Sequence, residues 1–477
     1  MVIKNISYSV VNQILLILIM LASAAVLGRL IEPSIFGIFA ILLAIHTLLF
    51  SIVDFGLTPV FIKLNKVTSE VKNVFFTLNI LLGTCYAVLF LIIVLFIDQE
   101  NIIIYSMVFT ISVIITSINQ QPIANLLRQH HQKKMMIFNF VSTLIALCIA
   151  IVLAYYDFGI YALLAQQLFS QIAMYSLLKR NDNYEYNIVG LNIVKRYKSD
   201  IVFSLRILAS RIVNGVSLSY DKFFIGKFFG MELLGLYSKA FQFSGVPSAN
   251  LGTAVSTPIL SFIARKSEEE AKKLYPIIGN FIFFIAGNLA IFLIIYGDWF
   301  IVFLMGENWI EAGPYLQILA IWGVGKVLHG TLIVIYTNEK KMGEFSIHSI
   351  VALILNAVIF LIAYFFSKDI TTTILYFSIS NMLIWIFLYL ITLYKYSLKW
   401  ESLKDTLYFH LLNSTVFYFI LSISKDEYFS NSEYKWIVAI LIYLLALGAS
   451  FILIFIFNKR LLIDIQTLRS ENGQKNT

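Results

Sequence analysis

Apolar residues run along this chain in long unbroken stretches, and short polar segments cut them into fourteen. A transmembrane helix needs about 20 apolar residues to cross the hydrocarbon layer. On that measure the first six spans are expected near Val10–Leu27, Ile35–Leu57, Asn73–Ile97, Ile102–Asn119, Ile137–Tyr155 and Gly159–Leu178. A second six follow near Asp200–Ile225, Leu233–Ile263, Pro276–Tyr296, Gly313–Tyr336, Phe345–Phe366 and Thr371–Tyr394. Two more, Leu407–Ser422 and Lys435–Phe457, precede a polar tail ending at Thr477. The pattern predicts an all-α integral membrane protein with 14 transmembrane helices. Its expected parts are a six-helix bundle over 1–180, another over 195–396, two additional helices over 400–460 and a tail over 461–477.

The seventh stretch breaks the pattern, because Arg206, Ser210, Arg211, Asn214, Ser217, Asp221 and Lys222 stand where other spans carry Leu, Ile and Phe. On a helical projection with Arg206 at zero, the other six, with Asp200 and Ser204, fall within an arc from about 20° to 160°. Leu208, Ile201, Ile212, Leu205 and Val216 occupy the opposite arc. A guanidinium at the bilayer centre costs several kcal/mol even on lenient scales, roughly 2.5–3.5 kcal/mol. The polar arc is therefore expected to line a wetted space inside the protein. An amphipathic helix lying on the membrane surface is the alternative.

Where the cations sit tests the segmentation. With the N-terminus inside, 25 of the 35 Lys and Arg fall in cytoplasmic segments, 5 in outer loops, and 5 within spans (Arg206, Arg211, Lys222, Lys239, Lys326). That bias is the positive-inside rule, and it places both termini in the cytoplasm. The net charge of +8 then reflects topology and calls for no nucleic-acid partner. With 59% hydrophobic and 13% charged residues, the composition excludes a soluble multidomain protein.

An internal repeat supports the two-bundle reading. At an offset of 198, Gly28 matches Gly226, Arg29 matches Lys227, Gly37 matches Gly235 and Phe39 matches Tyr237. Six spans separate the copies, so the halves share one orientation. Such parallel repeats are related by an axis along the membrane normal and place a substrate site between bundles.

Cationic side chains on the polar arc suit an anionic, phosphate-bearing substrate, since planar Arg meets phosphate oxygens in a two-point fork. The substrate-binding candidates are Arg211, Arg206, Lys326, Asn214, Ser210, Ser217 and Lys239. Asp54, Asp221 and His329 are the coupling or charge-pairing candidates. The competing reading makes these charges buried structural pairs, with Lys222 beside Asp221 the strongest instance. Lys239 is also able to snorkel outward.

Other features read as structure. His46 and His348 are expected to be hydrogen-bonded within spans, and Cys85 and Cys148 to be small core residues. Gly297 to Ala312 is expected to be an outer loop with Trp299 and Trp309 at the membrane interface. Lys266 to Lys273 reads as a charged helical loop. Lys4, the run from Val10 and Ala22-Ser23-Ala24 imitate a signal peptide, but the run belongs to the repeat and is read as a retained span. No phosphate-binding loop, zinc-protease motif or nucleophile elbow is seen. Neither a cofactor nor a metal nor enzymatic activity is expected.

Four segments carry a family resemblance: DFGLTPVFIK (54–63), DFGIYALLAQQ (157–167), YDKFFIGKFFGMELLGLYSKAFQF (220–243) and NWIEAGPYLQILAIW (308–322). Through them the chain resembles the polysaccharide-exporter branch of the multidrug/oligosaccharidyl-lipid/polysaccharide superfamily. The resemblance implies a flippase of the bacterial cytoplasmic membrane. Its substrate would be an undecaprenyl-pyrophosphate-linked oligosaccharide for O-antigen, capsule or teichuronic acid, moved from inner to outer leaflet by alternating access. An ion gradient (proton or sodium) or the membrane potential would be the energy source, and the polymerase and glycosyltransferases of the same pathway its neighbours. The alternatives are an ion-coupled drug exporter of the same superfamily and a membrane glycan polymerase.

Overall fold

A computed structural model describes residues 2–53, 56–64, 66–97, 99–181, 185–194, 212–246, 263, 268–396, 411–422 and 441–448. The described residues are helices and short connections, with no strand among them. In order they are α1 (Val2–Leu30), α2 (Pro33–Val53), α3 (Leu57–Lys63), α4 (Ser69–Val94), α5 (Ile102–Arg128), α6 (Gln132–Tyr155) and α7 (Ile160–Asn181). Then come α8 (Leu191–Val194), α9 (Tyr220–Phe229), α10 (Met231–Ser244), α11 (Glu268–Met305), α12 (Ala312–Asn338), α13 (Met342–Ser367) and α14 (Ile370–Tyr396). A shorter apolar helix covers Leu411–Ser422.

Among the described residues, 9 helices are long and apolar enough to cross a membrane. Their outward faces remain apolar: Ile347 is 62% exposed and Phe387 64%. Such faces would drive aggregation in water and are at home in lipid, where the helix satisfies its own backbone. This is a multi-pass membrane protein. Cys85 and Cys148 lie on these exposed surfaces and not in the core, contrary to expectation. In a bundle bathed in lipid both faces of a helix are apolar, so an apolar neighbourhood does not mark the buried side.

The chain divides into two compact units. Unit 1 is Met1–Lys239 with Val302–Glu311, and unit 2 is Ala240–Ile301 with Ala312–Thr477. Within unit 1, α7 packs on both α5 and α6. Within unit 2, α14 packs on both α12 and α13 in the same pattern. The turns agree. His130 and Asp157 take left-handed φ of 59° and 60° at the α5–α6 and α6–α7 junctions. Lys340 and Lys368 do so (57° and 54°) at the α12–α13 and α13–α14 junctions, 210 and 211 positions later. The repeat thus extends to backbone geometry, although neither matched pair, His130 with Lys340 or Asp157 with Lys368, is identical in side chain.

Local capping sets several ends. Thr68 Oγ1 accepts from Val71 N–H at 3.3 Å to start α4. Asp369 Oδ2 accepts from the N–H and hydroxyl of Thr372, both at 2.7 Å, to start α14. Arg128 donates to the carbonyls of Phe61 (3.1 Å) and Ile62 (2.8 Å), closing the C-terminal end of α3. Each side chain satisfies a terminal group that the helix itself leaves open.

Two expectations about the segment before α12 are corrected. The charged stretch is helical from Glu268, as expected, but belongs to a long helix and not a loop, since Glu268 opens a helix of 38 residues, about 57 Å at 1.5 Å per residue. That helix runs on through Met305, shrinking the expected outer loop to a short turn with one 3-10 segment, Glu307–Trp309. Trp309 is fully buried and not an interfacial anchor. Its Nε1 donates to Gly28 carbonyl oxygen at 2.7 Å, and its ring meets Phe36 edge-on at 5.2 Å. An amphipathic ring with a polar handle suits both settings, so composition alone did not separate them.

Candidate functional site

Arg206, Ser210, Arg211 and Asp54 lie outside the described residues. The described part of the charged stretch begins with helical residues 212–217, tightens through Leu218 and Ser219, and resumes as α9. At the tightening, Ser219 N–H bonds to Val216 O at 3.1 Å and Lys222 N–H to Ser219 O at 3.1 Å. Lys222 Nζ donates to Leu218 O at 2.6 Å, serving a carbonyl at the break in helical pattern. Asn214 is exposed and Ser217 half-buried on the turns before it.

Asp221 has structural partners. Its side chain is 1% exposed, Tyr237 OH donates to Oδ2 at 2.5 Å, and Lys222 Nζ stands 3.7 Å from Oδ1. This arrangement favours the pairing role over a free coupling carboxylate. Lys239, on α10 one turn from Gly235, places Nζ 4.4 Å from the Phe36 ring centroid. A cation over a desolvated aromatic face is worth about 2 kcal/mol, which gives Lys239 a partner inside the protein in place of outward snorkelling.

Unit 2 holds the other two candidates. Lys326 Nζ is 5.5 Å from the Trp322 ring centroid. The His329 ring lies 4.5 Å from Trp385 and 5.3 Å from Phe345. His46 and His348 are hydrogen-bonded, as expected: His46 Nδ1 to Tyr86 OH at 2.8 Å and His348 Nδ1 to Tyr336 OH at 3.2 Å.

The sharpest geometry is one where the repeat meets itself. A methyl carbon built on Gly37 of α2 would fall 2.6 Å from the Met231 carbonyl carbon and 3.1 Å from Gly235 N. One built on Gly235 of α10 would fall 2.8 Å from the Pro33 carbonyl carbon and 3.0 Å from Gly37 N. Pro33 and Met231 are themselves 198 positions apart, like Gly37 and Gly235. The contact is reciprocal, as a two-fold axis between the copies demands. Only residues without Cβ let the two backbones approach this closely. Around it, Gly28 rests against the Met305 side chain and Arg29 Nη2 donates to Phe303 O at 2.8 Å. The matched glycines were visible in the sequence, but that they touch each other was not.

Residues 26–314 match the family described as polysaccharide biosynthesis protein. A teichuronic acid biosynthesis protein of Bacillus subtilis (strain 168), TuaB, is 27% identical over 288 residues, covering 58% of this chain and 59% of the relative. A succinoglycan biosynthesis transport protein of Rhizobium meliloti (strain 1021), ExoT, is 22% identical over 341 residues, covering 67% and 65%. The chain thus spans about six-tenths of the length of these relatives. Among solved structures, a lipid II flippase, MurJ, in an inward closed conformation aligns with TM-score 0.70 at 13% identity, over 96% of this chain and 100% of that one. An inward-facing multidrug transporter of the multidrug/oligosaccharidyl-lipid/polysaccharide superfamily aligns with TM-score 0.64 at 14% identity, over 83% and 96%. The fold is the one these transporters share.

Proposed function

The chain belongs to the polysaccharide biosynthesis protein family, and from that premise we propose that it flips a lipid-linked oligosaccharide. The proposed substrate is an undecaprenyl-pyrophosphate-linked glycan, carried from the inner to the outer leaflet of the bacterial cytoplasmic membrane. The single observation that carries the reading is the reciprocal crossing at Gly37 and Gly235. A repeat that closes on itself at one end of the helices is the construction alternating access needs, because one contact can seal one side while the other opens.

The proposed topology has 14 spans with both termini cytoplasmic, in six-helix bundles over 1–180 and 195–396, two helices over 400–460 and the tail over 461–477. It puts the glycine crossing at the outer surface. The polar face of the seventh span then holds the headgroup, with Arg211 and Arg206 on its phosphates and Ser210, Asn214 and Ser217 on sugar hydroxyls. Lys239, toward the outer end, and Lys326, in unit 2, are further cations for the anionic headgroup. Sugars and pyrophosphate cannot cross hydrocarbon unaided, since each unsatisfied polar group costs several kcal/mol there. A wetted path lets the headgroup pass while the polyprenyl chain remains in lipid.

Deleting the chain in its host should leave the lipid-linked oligosaccharide on the inner leaflet, with none reaching the surface. Single unpolymerised units at the surface would instead indicate a polymerase and overturn the reading. A drug exporter would leave glycan export untouched.

A further inference from the structure

One face of α14 carries Ser378, Asn381, Trp385, Tyr389, Thr392 and Tyr396, spaced three or four residues apart so that they stack along a single side of the helix. The first five are at least nine-tenths buried, with Trp385 and Tyr389 both 3% exposed. Four of them hold a polar atom with no hydrogen-bond partner: Ser378 Oγ, Asn381 Oδ1, Trp385 Nε1 and Tyr389 OH. Buried polar atoms are almost always paired, and each one left open costs about 1–3 kcal/mol. Four such atoms in line, within three turns of one helix, are not four independent accidents.

The facing groups flank the line and extend it toward Tyr396. On α12, His329 sets its ring 4.5 Å from Trp385, with Lys326 one turn before it. Gly325 of α12 lets that helix pack closely on α14 beside Asn381, since a methyl carbon there would come 3.1 Å from Oδ1. On α11, Gly279 packs directly against the Tyr389 hydroxyl, which takes the place a methyl would fill. Further on, Thr392 Oγ1 and Tyr336 OH are 3.1 Å apart, and Tyr336 OH reaches His348 Nδ1 at 3.2 Å. Tyr396 OH then donates to Glu344 Oε2 at 3.3 Å, and Glu344 pairs with the exposed Lys395. Asn381 to Tyr396 spans 15 residues, about 22 Å of helix at 1.5 Å per residue.

We propose that this face of α14 binds a file of water molecules, giving His329 a proton-conducting connection to the Glu344–Lys395 end of unit 2. Water is the ligand whose chemistry fits: it donates to Asn381 Oδ1, accepts from Trp385 Nε1, and does either for the two hydroxyls. Buried waters typically make about three hydrogen bonds to groups that would otherwise go unpaired. The titratable neighbours are Lys326, Tyr336 and Glu339 on α12, Tyr275 on α11, His348 and Glu344 on α13. Of these, Tyr275 is bonded to Glu339. His329, beside Trp385 within this face, is the histidine deep in unit 2, which makes it the proton's buried terminus. The inference concerns unit 2 alone and goes beyond the transport reading. A failed lipid-flipping assay leaves it standing, and its own failure leaves flipping untouched.

The test is radiolytic hydroxyl-radical footprinting of the full chain in lipid nanodiscs, together with hydrogen–deuterium exchange at histidine C2–H. Trp385 and Tyr389 should oxidise at least tenfold faster than Trp309 and Tyr237, which are as deeply buried but hydrogen-bonded to protein. His329 should exchange at a rate within severalfold of exposed His130. In Tyr389→Phe, oxidation of Trp385 should fall by half or more, because the file loses a member. Trp385 and Tyr389 as protected as the two controls would overturn the water file. Labelled aromatics with a non-exchanging His329 would overturn the proton connection.

Discussion

Replacing Gly37 by Ala should prise open the end of the protein that holds the glycine crossing, the outer end in the proposed topology. The added methyl would lie 2.6 Å from the Met231 carbonyl carbon, against the roughly 3.5–4.0 Å that two carbons prefer. Helices α2 and α10 must therefore part by about 1 Å or more to admit it. Overpacking of this kind costs about 1–3 kcal/mol. In the proposed alternating-access cycle the contact belongs to the closed state, so the cost falls on that state alone. At 1.4 kcal/mol per factor of ten, closure should weaken by roughly five- to 150-fold. The reporter is Ile41→Cys in a chain whose two native cysteines are serine. Ile41 is 4% exposed, and its Cδ1 lies 3.7 Å from the methyl position of Gly226. A membrane-impermeant maleimide added outside cells should label it about tenfold faster in Gly37→Ala than in the glycine parent. Gly235→Ala should do the same, and the double variant should give less than the sum, since both changes relieve one crossing. An unchanged labelling rate would refute the reasoning.

Three further outcomes follow from single contacts. Trp309→Phe keeps the ring but leaves the buried Gly28 carbonyl without its donor, and should lower stability by about 1–3 kcal/mol in thermal unfolding of the detergent-solubilised protein. Asp369 is held below the usual carboxylate range, first by the Thr372 backbone N–H and then by its hydroxyl. Its folded value is depressed, so the stabilisation is present at neutral pH and drains away as pH falls from about 4 toward that lower value. Asp369→Ala should cost about 0.5–2 kcal/mol at pH 7 and less at pH 3, measured by the same unfolding curves at both pH values. Arg211→Ala should abolish surface glycan while the protein stays in the membrane at normal level. Normal export in that variant would remove Arg211 from the headgroup site.

Long apolar runs and loop charges made the helical membrane architecture readable, because lipid imposes both patterns directly. The repeat was readable too, through Gly37 and Gly235, whose identity is forced by backbone approach. What the sequence withheld is which side of a helix faces protein. Cys85 and Cys148 turned out exposed, and Trp309 buried, for the common reason that lipid and core demand the same apolar chemistry. The end of α11 was misplaced because Gly297, Asp298 and Trp299 look like a loop, although Asp298 Oδ1 accepts from Trp299 N–H at 2.8 Å within the helix. Of the candidate site, the pairing of Asp221 with adjacent Lys222 was readable, but the Tyr237 hydroxyl on Asp221 and the Phe36 ring beside Lys239 are remote enough in sequence that no spacing reveals them. The line on α14 left a faint signal in its three- and four-residue spacing, hidden among the ordinary aromatic residues of a membrane helix.

The central claim is tested most directly by reconstituting the purified chain into vesicles with a fluorescent polyprenyl-pyrophosphate oligosaccharide and a membrane-impermeant glycosidase outside. Vesicles containing the chain should lose nearly all the labelled glycan as inner-leaflet lipid is brought out, and vesicles with Arg211→Ala only the half already facing outward. Equal protection with and without the chain would contradict the account.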